Sequence, residues 1–310
     1  PPNVLHKRIS KLDPALADQI AAGEVVERPA SIVKEVVENS LDAGSKNIDI
    51  SVSGGGLKSI YVSDDGHGIH EADLTLAIQR HATSKISKSE DLLAISTLGF
   101  RGEALASIAS VSRFKLSSRS GQSEAGWMIS TAGDSKFSKE PIAHNRGTTV
   151  HADELFFNVP ARRKFLKSER AENRQIETVV KKISLANMSV AFSYAQSGSS
   201  KNERGLRKLE LKAGDPRQRL ADVLSPDFVE NSIFLDETRN RYRLFGWIGV
   251  PSHNRAQRDQ QFFYVNKRPV KDEVVNQAVR QAYRDLMYGR RHSVYVLFLE
   301  VPEEELDVNV

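Results

Sequence analysis

The stretch Lys34–Gly44, KEVVENSLDAG, carries Glu35, Glu38, Asn39 and Asp42 within two helical turns. At about 100° per residue, those four side chains share an arc of about 100°, turned away from Val33, Val37 and Leu41. Carboxylates grouped in this way repel one another unless something cationic answers them, and only Lys34 lies four residues from one of them, Glu38. The stripe is therefore either a solvated face or a face that meets a cation.

Three further pieces carry chemistry. SDDGHGI (Ser63–Ile69) follows a strand-like run and supplies Asp64, then Gly66 and Gly68 at alternate positions. Glycines there let the backbone approach a flat ligand where a β-carbon would collide. TLGFRGEALASIAS (Thr97–Ser110) sets Gly99 and Gly102 just before a helical run, and free amides at a helix start suit phosphate. RGTTV (Arg146–Val150) places threonines on or beside a strand, able to hydrogen-bond directly or through water. Each piece alone has an ordinary structural explanation, but their succession along one chain does not.

With these residues in hand, the chain resembles the GHKL ATPase superfamily, which unites gyrase B subunits, large heat-shock chaperones, sensor histidine kinases and MutL proteins. Over essentially its whole length it resembles the MutL family of DNA mismatch repair proteins, on the bacterial branch. The resemblance rests on QIAAGEVVERPASIVKEVVENSLDAG, RHATSKI, LGFRGEALASIASV, FFNVPARRKFL and DVNV. It implies that Glu35 is the general base that orients and polarises the water attacking the γ-phosphate. It implies that Asn39 is the Mg²⁺ ligand, and that Asp64 accepts a hydrogen bond from the adenine amino group over a floor shaped by Gly66 and Gly68. Thr148 matches the threonine near the adenine. Thr83, Ser84 and Lys85, with Gly99, Phe100, Arg101, Gly102, Glu103 and Ala104, match the lid over the phosphates. At least one of Glu38 and Asp42 is expected to be an ordinary surface residue or to support the site from behind, and Glu103 is expected to act through its backbone amide.

The resemblance also implies DNA binding along a groove lined by both halves. Arg162, Arg163 and Lys164 in PARRKF, and Arg268 in the VN-x-R turn, are the matching positions. Without base-reading motifs, phosphate contacts with weak sequence preference are expected. The implied partners are DNA, a second copy of the chain upon ATP binding, a mismatch-recognition protein and a downstream nuclease or helicase. In the family DVNV is followed by a lysine that reaches the γ-phosphate. Val310 precedes that position, so the sequence reads as an N-terminal fragment.

The elements that would position these residues are α+β. With 310 residues, 39% of them hydrophobic, the chain is long enough for two cored domains. We place them at 1–212, a GHKL-type α/β sandwich ATPase domain, and 213–310, a smaller α+β domain of the ribosomal-protein domain-2-like type. Pro29 opens a helix that runs to Ala43 with Gly44 as its cap, and NIDISVS and LKSIYVSDD form a hairpin across Gly54–Gly56. Further strands are expected at RFKLSS, GWMIST, GTTVHADEL, SVAFSYA, YRLFGWIGV, QFFYVN and SVYVLFLEV, and helices at 162–186, GDPRQRLADVL and 272–287. Helices interspersed among antiparallel strands argue for α+β sandwiches rather than a doubly wound parallel sheet.

Charge is uneven. Residues 1–150 hold 17 Lys and Arg against 18 Asp and Glu, while residues 151–310 hold 27 against 22. The surplus clusters at 161–170, 239–243, 266–271 and 288–291, which suits a polyanion if the clusters share a face. There are no cysteines, which excludes disulfides and thiolate chemistry and suits a reducing cytoplasm, near the nucleoid if the source is bacterial. No apolar run approaches a membrane span, so a soluble, cytoplasmic protein is expected. The spacing of His67, His70 and His81 fits no common metal site. Two alternatives stand beside the ATPase reading: a histidine kinase, opposed by the lack of a phosphoacceptor helix, and a nucleotide-independent DNA-binding scaffold. No Walker A segment occurs, so a P-loop enzyme is not in question.

Overall fold

The structure, a computed structural model, describes residues 13–79, 82, 102–134, 136–198, 207–287 and 289–306. Helices α1 (Pro14–Val25) and α2 (Pro29–Asp42) lead into strands β1 (Asn47–Ser53) and β2 (Ser59–Asp64) and the short α3 (Leu74–Ala77). Helix α4 (Ala104–Ser110) precedes β3 (Arg113–Arg119), β4 (Gly126–Thr131), β5 (Phe137–Ile142) and β6 (Gly147–Asp153). Then come α5 (Pro160–Phe165), α6 (Glu169–Ala186), β7 (Ala191–Ser197) and β8 (Arg207–Leu211). The remainder holds α7 (Pro216–Val223), α8 (Pro226–Glu230), β9 (Ser232–Arg239), β10 (Tyr242–Gly249), β11 (Asn254–Arg255) and β12 (Gln261–Val265). It closes with β13 (Arg268–Pro269), α9 (Glu273–Ala282), β14 (His292–Ser293) and β15 (Tyr295–Glu300).

Strands β1–β8 build one eight-stranded sheet in the order β5-β4-β3-β6-β2-β1-β7-β8. Its inward residues alternate with outward ones as the period of two requires: Ile48, Ile50 and Val52 of β1 are buried while Asn47, Asp49 and Ser51 are exposed. Helices α2 and α6 pack together over the buried face, with Ile32, Val33, Val36, Val37, Ile176 and Val180 in the shared core. The second sheet, β13-β12-β15-β10-β9, is antiparallel apart from the parallel pairing of β12 with β15. The first is likewise antiparallel except for β1 beside β7. The α+β reading and the hairpin across Gly54–Gly56 therefore stand.

Three sequence expectations change. The helix expected over 162–186 is two helices: Leu166 is extended, and the Ser168 hydroxyl caps α6 by accepting from the Ala171 amide. Strands β5, β8 and β9 and the two-residue β11 and β13 add to those expected from the sequence. β5, β8 and β9 are edge strands, and the mostly exposed side chains of β5 and β9 lack the buried alternation that marks a half-buried strand. The helix expected over 272–287 ends at Ala282.

Arg219 ties α7 to the elements before it. It is fully buried on α7, and its guanidinium donates to the carbonyls of Ser184, Val190 and Lys212 at 2.6, 2.7 and 2.8 Å. Those carbonyls close the end of α6, the start of β7 and the exit of β8. Burial holds the guanidinium below its ordinary pKa against the opposing pull of Asp222. Nearby, the Tyr264 hydroxyl of β12 donates to the Lys182 carbonyl at 2.7 Å.

Candidate nucleotide site

Helix α2 ends in a way that sets the site. The Gly44 amide reaches the Leu41 carbonyl and the Ser45 amide reaches the Ser40 carbonyl, a Schellman closure around a left-handed Gly44 (φ 72°). The turn after β2 docks on this closure through the His67 amide and the Ala43 carbonyl, 2.9 Å apart. Gly66 is needed there, because a β-carbon would sit 2.8 Å from both Ala43 Cβ and Ser45 Oγ. Gly68 (φ 73°) lies against the Arg119 carbonyl.

Asp64 is thereby brought beside α2. Its Oδ2 accepts from the Ser40 hydroxyl at 2.6 Å, and its Oδ1 accepts from the amides of Gly66 at 2.9 Å and Thr148 at 3.3 Å. Thr148 is the partner of Asp64 in the β2–β6 register, and its Oγ1 lies 2.9 Å from Ser118 Oγ on β3. Ser118 also accepts from the Ile69 amide and donates to the Gly147 carbonyl, both at 2.8 Å. Gly147 has φ 126°, and a β-carbon there would fall 1.9 Å from the Asp64 carbonyl oxygen. The structure thus unites Asp64, Gly66, Gly68 and Thr148 at one corner. It adds Ser40, Ser118 and Gly147, which sequence reasoning missed although Ser40 and Gly147 stand inside the quoted stretches.

Asp65, the second acid of that motif, turns elsewhere. Burial, the largest single influence, pushes its carboxyl up, but Asn47 Nδ2 and the amides of Asn47 and Lys46 hold it below the usual carboxylate range.

One to two turns before Ser40, the acidic stripe carries its own cation. Lys34 Nζ lies 3.1 Å from Glu38 Oε2 and 3.6 Å from Glu35 Oε1. Glu38 is only 8% exposed, so its carboxylate is not part of a solvated face. Burial, the largest influence, pushes the Glu38 carboxyl up against the opposing pull of Lys34. Burial would lower the Lys34 amine, yet Glu38 and Glu35 hold it above its ordinary value. Glu35 keeps 31% of its side chain exposed. Asn39 lies four residues from Glu35 in α2, the same-face spacing. Oxygen donors so disposed fit Mg²⁺, which keeps waters and substrate phosphates beside one or two protein ligands.

Of the lid positions, Gly102, Glu103 and Ala104 are described. Gly102 is left-handed (φ 62°), Glu103 is the residue before α4, and Ala104 is its first residue. Thr83, Ser84, Lys85, Gly99, Phe100 and Arg101 lie outside the described residues, as does His81. Two shallow clefts of about 670 and 530 Å³ are present. The second is lined by Asp64 and Asp65 together with Asp49, Tyr61, Ser63 and Thr149 of the neighbouring strand positions.

The basic clusters part company. At 239–243, Arg243 pairs with Asp236 and Glu300, and Arg241 pairs with Glu304 and Glu305. Arg291 is spent on Asn254. On α5, Arg162 turns inward over the Phe156 ring against Gly23, whereas Arg163 and Lys164 are exposed and form no ion pair among the described residues. Lys182 of α6 faces Lys271, which follows β13, and burial above all holds its amine below the ordinary lysine value. Arg268 is the first residue of β13. Among the described residues no helix is long and apolar enough to cross a membrane.

This fold and corner define an ATPase domain of the GHKL class. Residues 27–149 match a family profile described as histidine kinase-, DNA gyrase B- and HSP90-like ATPase, and residues 220–310 match one described as DNA mismatch repair protein, C-terminal domain. The chain is 48% identical over 309 residues to the DNA mismatch repair protein MutL of Cellvibrio japonicus (strain Ueda107), covering 98% of this chain and 48% of that protein. It is 48% identical over 304 residues to MutL of Pseudomonas putida (strain GB-1), with the same two coverages. A solved N-terminal domain of a DNA repair protein superposes with a TM-score of 0.80 at 26% identity, covering 95% of this chain and 89% of that one. The Aquifex aeolicus MutL ATPase domain complexed with ADP follows at 0.66 and 29%, covering 90% and 93%. By these likenesses the chain is similar to MutL proteins over the part of them that it spans, which is about half their length.

Proposed function

We propose that the chain is the ATP-binding and hydrolysing switch of a DNA mismatch repair protein, acting in the cytoplasm. What carries the reading is the Asp64 corner: a half-buried carboxylate held by Ser40, Gly66 and Thr148 beside α2, in a chain similar to a MutL ATPase domain solved with ADP. Asp64 and Thr148 hold the adenine over Gly66 and Gly68. Glu35 takes the proton of the attacking water, with Lys34 beside it keeping its carboxylate in place. Asn39 holds Mg²⁺, which supplies charge neutralisation at the phosphates. Thr83, Ser84, Lys85 and the stretch Gly99–Ala104 close as a lid, and closure joins two copies of the chain.

Two units serve this switch, 1–212 and 213–310. In support, the strands of the first sheet end at Leu211 and those of the second begin at Ser232. DNA phosphates meet Arg163, Lys164 and Arg268, joined by Lys182 and Lys271, whose like charges an anion would offset. Arg162, packed on Phe156, holds α5 in place rather than meeting DNA. A mismatch-recognition protein and a downstream nuclease or helicase are the further partners.

The test is gel filtration of the chain with Mg²⁺, with and without a non-hydrolysable ATP analogue, beside an equilibrium binding titration. Binding with a shift to the dimer volume supports the switch. No nucleotide binding at saturating Mg²⁺ overturns it in favour of a nucleotide-independent DNA scaffold.

A further inference from the structure

The corner around Asp64 has a definite hydrogen-bond polarity, which follows from counting protons. Ser118 has one hydroxyl proton and two lone pairs. The Ile69 amide can only donate to it, and the Gly147 carbonyl can only accept from it, each at 2.8 Å. The 2.9 Å contact with Thr148 Oγ1 is then made only if Thr148 donates. The Thr148 proton is thereby committed inward, leaving lone pairs alone for a ligand.

Asp64 is restricted in the same way. A carboxylate has about four acceptor positions. Two on Oδ1 are taken by the Gly66 and Thr148 amides, and one on Oδ2 by the buried Ser40 hydroxyl at 2.6 Å. Ser40 also lies 3.2 Å from the Val36 carbonyl, but its single proton goes to the shorter, charged acceptor. What faces a ligand is one open acceptor position on Asp64 Oδ2 and the lone pairs of Thr148.

We infer that Ser40 and Ser118, which need not touch the nucleotide, are positioning residues that set base specificity: Ser118 holds the Thr148 hydroxyl as an acceptor, and Ser40 fixes the direction in which the Asp64 carboxylate accepts. The inference rests on the reading that Asp64 and Thr148 receive the base. A purine with an amino group at position 6 finds acceptors for its hydrogens. A purine with a carbonyl there meets lone pairs with lone pairs, and such a mismatch in a site built for hydrogen bonding is discriminated strongly.

The test compares binding of ATP with inosine triphosphate, whose base carries a carbonyl at position 6 in place of the amino group and a proton on N1. Wild type should prefer ATP. Ser118→Ala frees Thr148 to donate, so ATP should weaken, inosine triphosphate should strengthen, and their affinity ratio should fall tenfold or more. Ser118→Thr, which keeps the hydroxyl, should restore the ratio. Ser40→Ala, which releases Asp64 Oδ2 to turn, should also narrow the ratio. Thermal melts accompany each variant, and Ser40→Ala carries the test if Ser118→Ala does not fold. Equal losses for both nucleotides would reduce the two serines to structural roles and overturn the inference. A wild type that binds neither nucleotide would instead sink the function proposed above.

Discussion

At the end of β2, Asp64 accepts three hydrogen bonds from within the chain, whereas Arg163 and Lys164 on α5 form no ion pair among the described residues. The difference matches what each region is proposed to recognise. A flat base is selected by donors and acceptors held in fixed directions, so the corner is wired to β2, β3, β6 and α2 before any ligand arrives. A phosphate backbone is selected by charge, which acts over about 10 Å at ordinary ionic strength and needs no fixed direction. Where the chain does pair its basic residues, as Arg243 does with Asp236 and Glu300, it removes them from that task.

The sharpest way to break the contrast is at Glu35. Glu35→Ala should lower ATP turnover by about 10²–10⁴-fold, the usual worth of a positioned base, while ATP binding persists. Turnover at the wild-type rate would remove Glu35 from the chemistry. Asn39→Ala should lose binding as well as turnover, because it withdraws the ion that the phosphates share.

Next comes the buried guanidinium on α7. Arg219→Ala leaves the carbonyls of Ser184, Val190 and Lys212 unpaired in the interior, at about 1–3 kcal/mol for each buried group. Urea unfolding should show a drop of about 3–5 kcal/mol, and a drop below about 1 kcal/mol would mean that water repairs the site.

On the basic surface, Arg163→Glu and Lys164→Glu should weaken DNA binding and reduce the salt slope by about 1 for each phosphate that is no longer neutralised. Arg268→Glu should act in the same direction. Arg243→Ala is the control, since its charge is already answered, and it should leave the slope unchanged. A slope that moved with Arg243 and not with Arg163 would invert the comparison.

The smallest effect is at Asp65. Its folded carboxyl lies below the ordinary value, so its contribution to stability is present above the unfolded pKa and is lost as pH falls through the folded one. The melting difference between wild type and Asp65→Asn should therefore shrink on acidification. A difference that stayed constant down to strongly acid pH would assign the effect to packing instead.

Much of the fold was legible because its signals are local. Pro29 at the first helical position, Gly44 at the end and the alternation of Ile48, Ile50 and Val52 each act over a few residues. The break between α5 and α6 was also within reach, since Ser168 followed by Glu169 is a helix-start pattern. Strands β5 and β9 were not, because an edge strand with exposed side chains gains its order from its neighbour rather than from its own pattern. Within the candidate site, Asp64, Gly66, Gly68 and Thr148 were readable from spacing and resemblance. Ser118 was not, since it lies in an unremarkable strand and matters only through Ile69, Gly147 and Thr148.

By itself the sequence determined the α+β class, the acids of α2, the glycine turn after β2 and the basic surplus beyond residue 150. Only the tertiary structure decided which charges are answered: Glu38 and Glu35 by Lys34, Arg243 by Asp236, Arg219 by carbonyls from three elements. Residue type states what a group can donate or accept, whereas its partner is set by chain brought close from elsewhere. Asp64 and Thr148 are 84 positions apart and share a hydrogen bond because β2 and β6 are neighbours in the sheet.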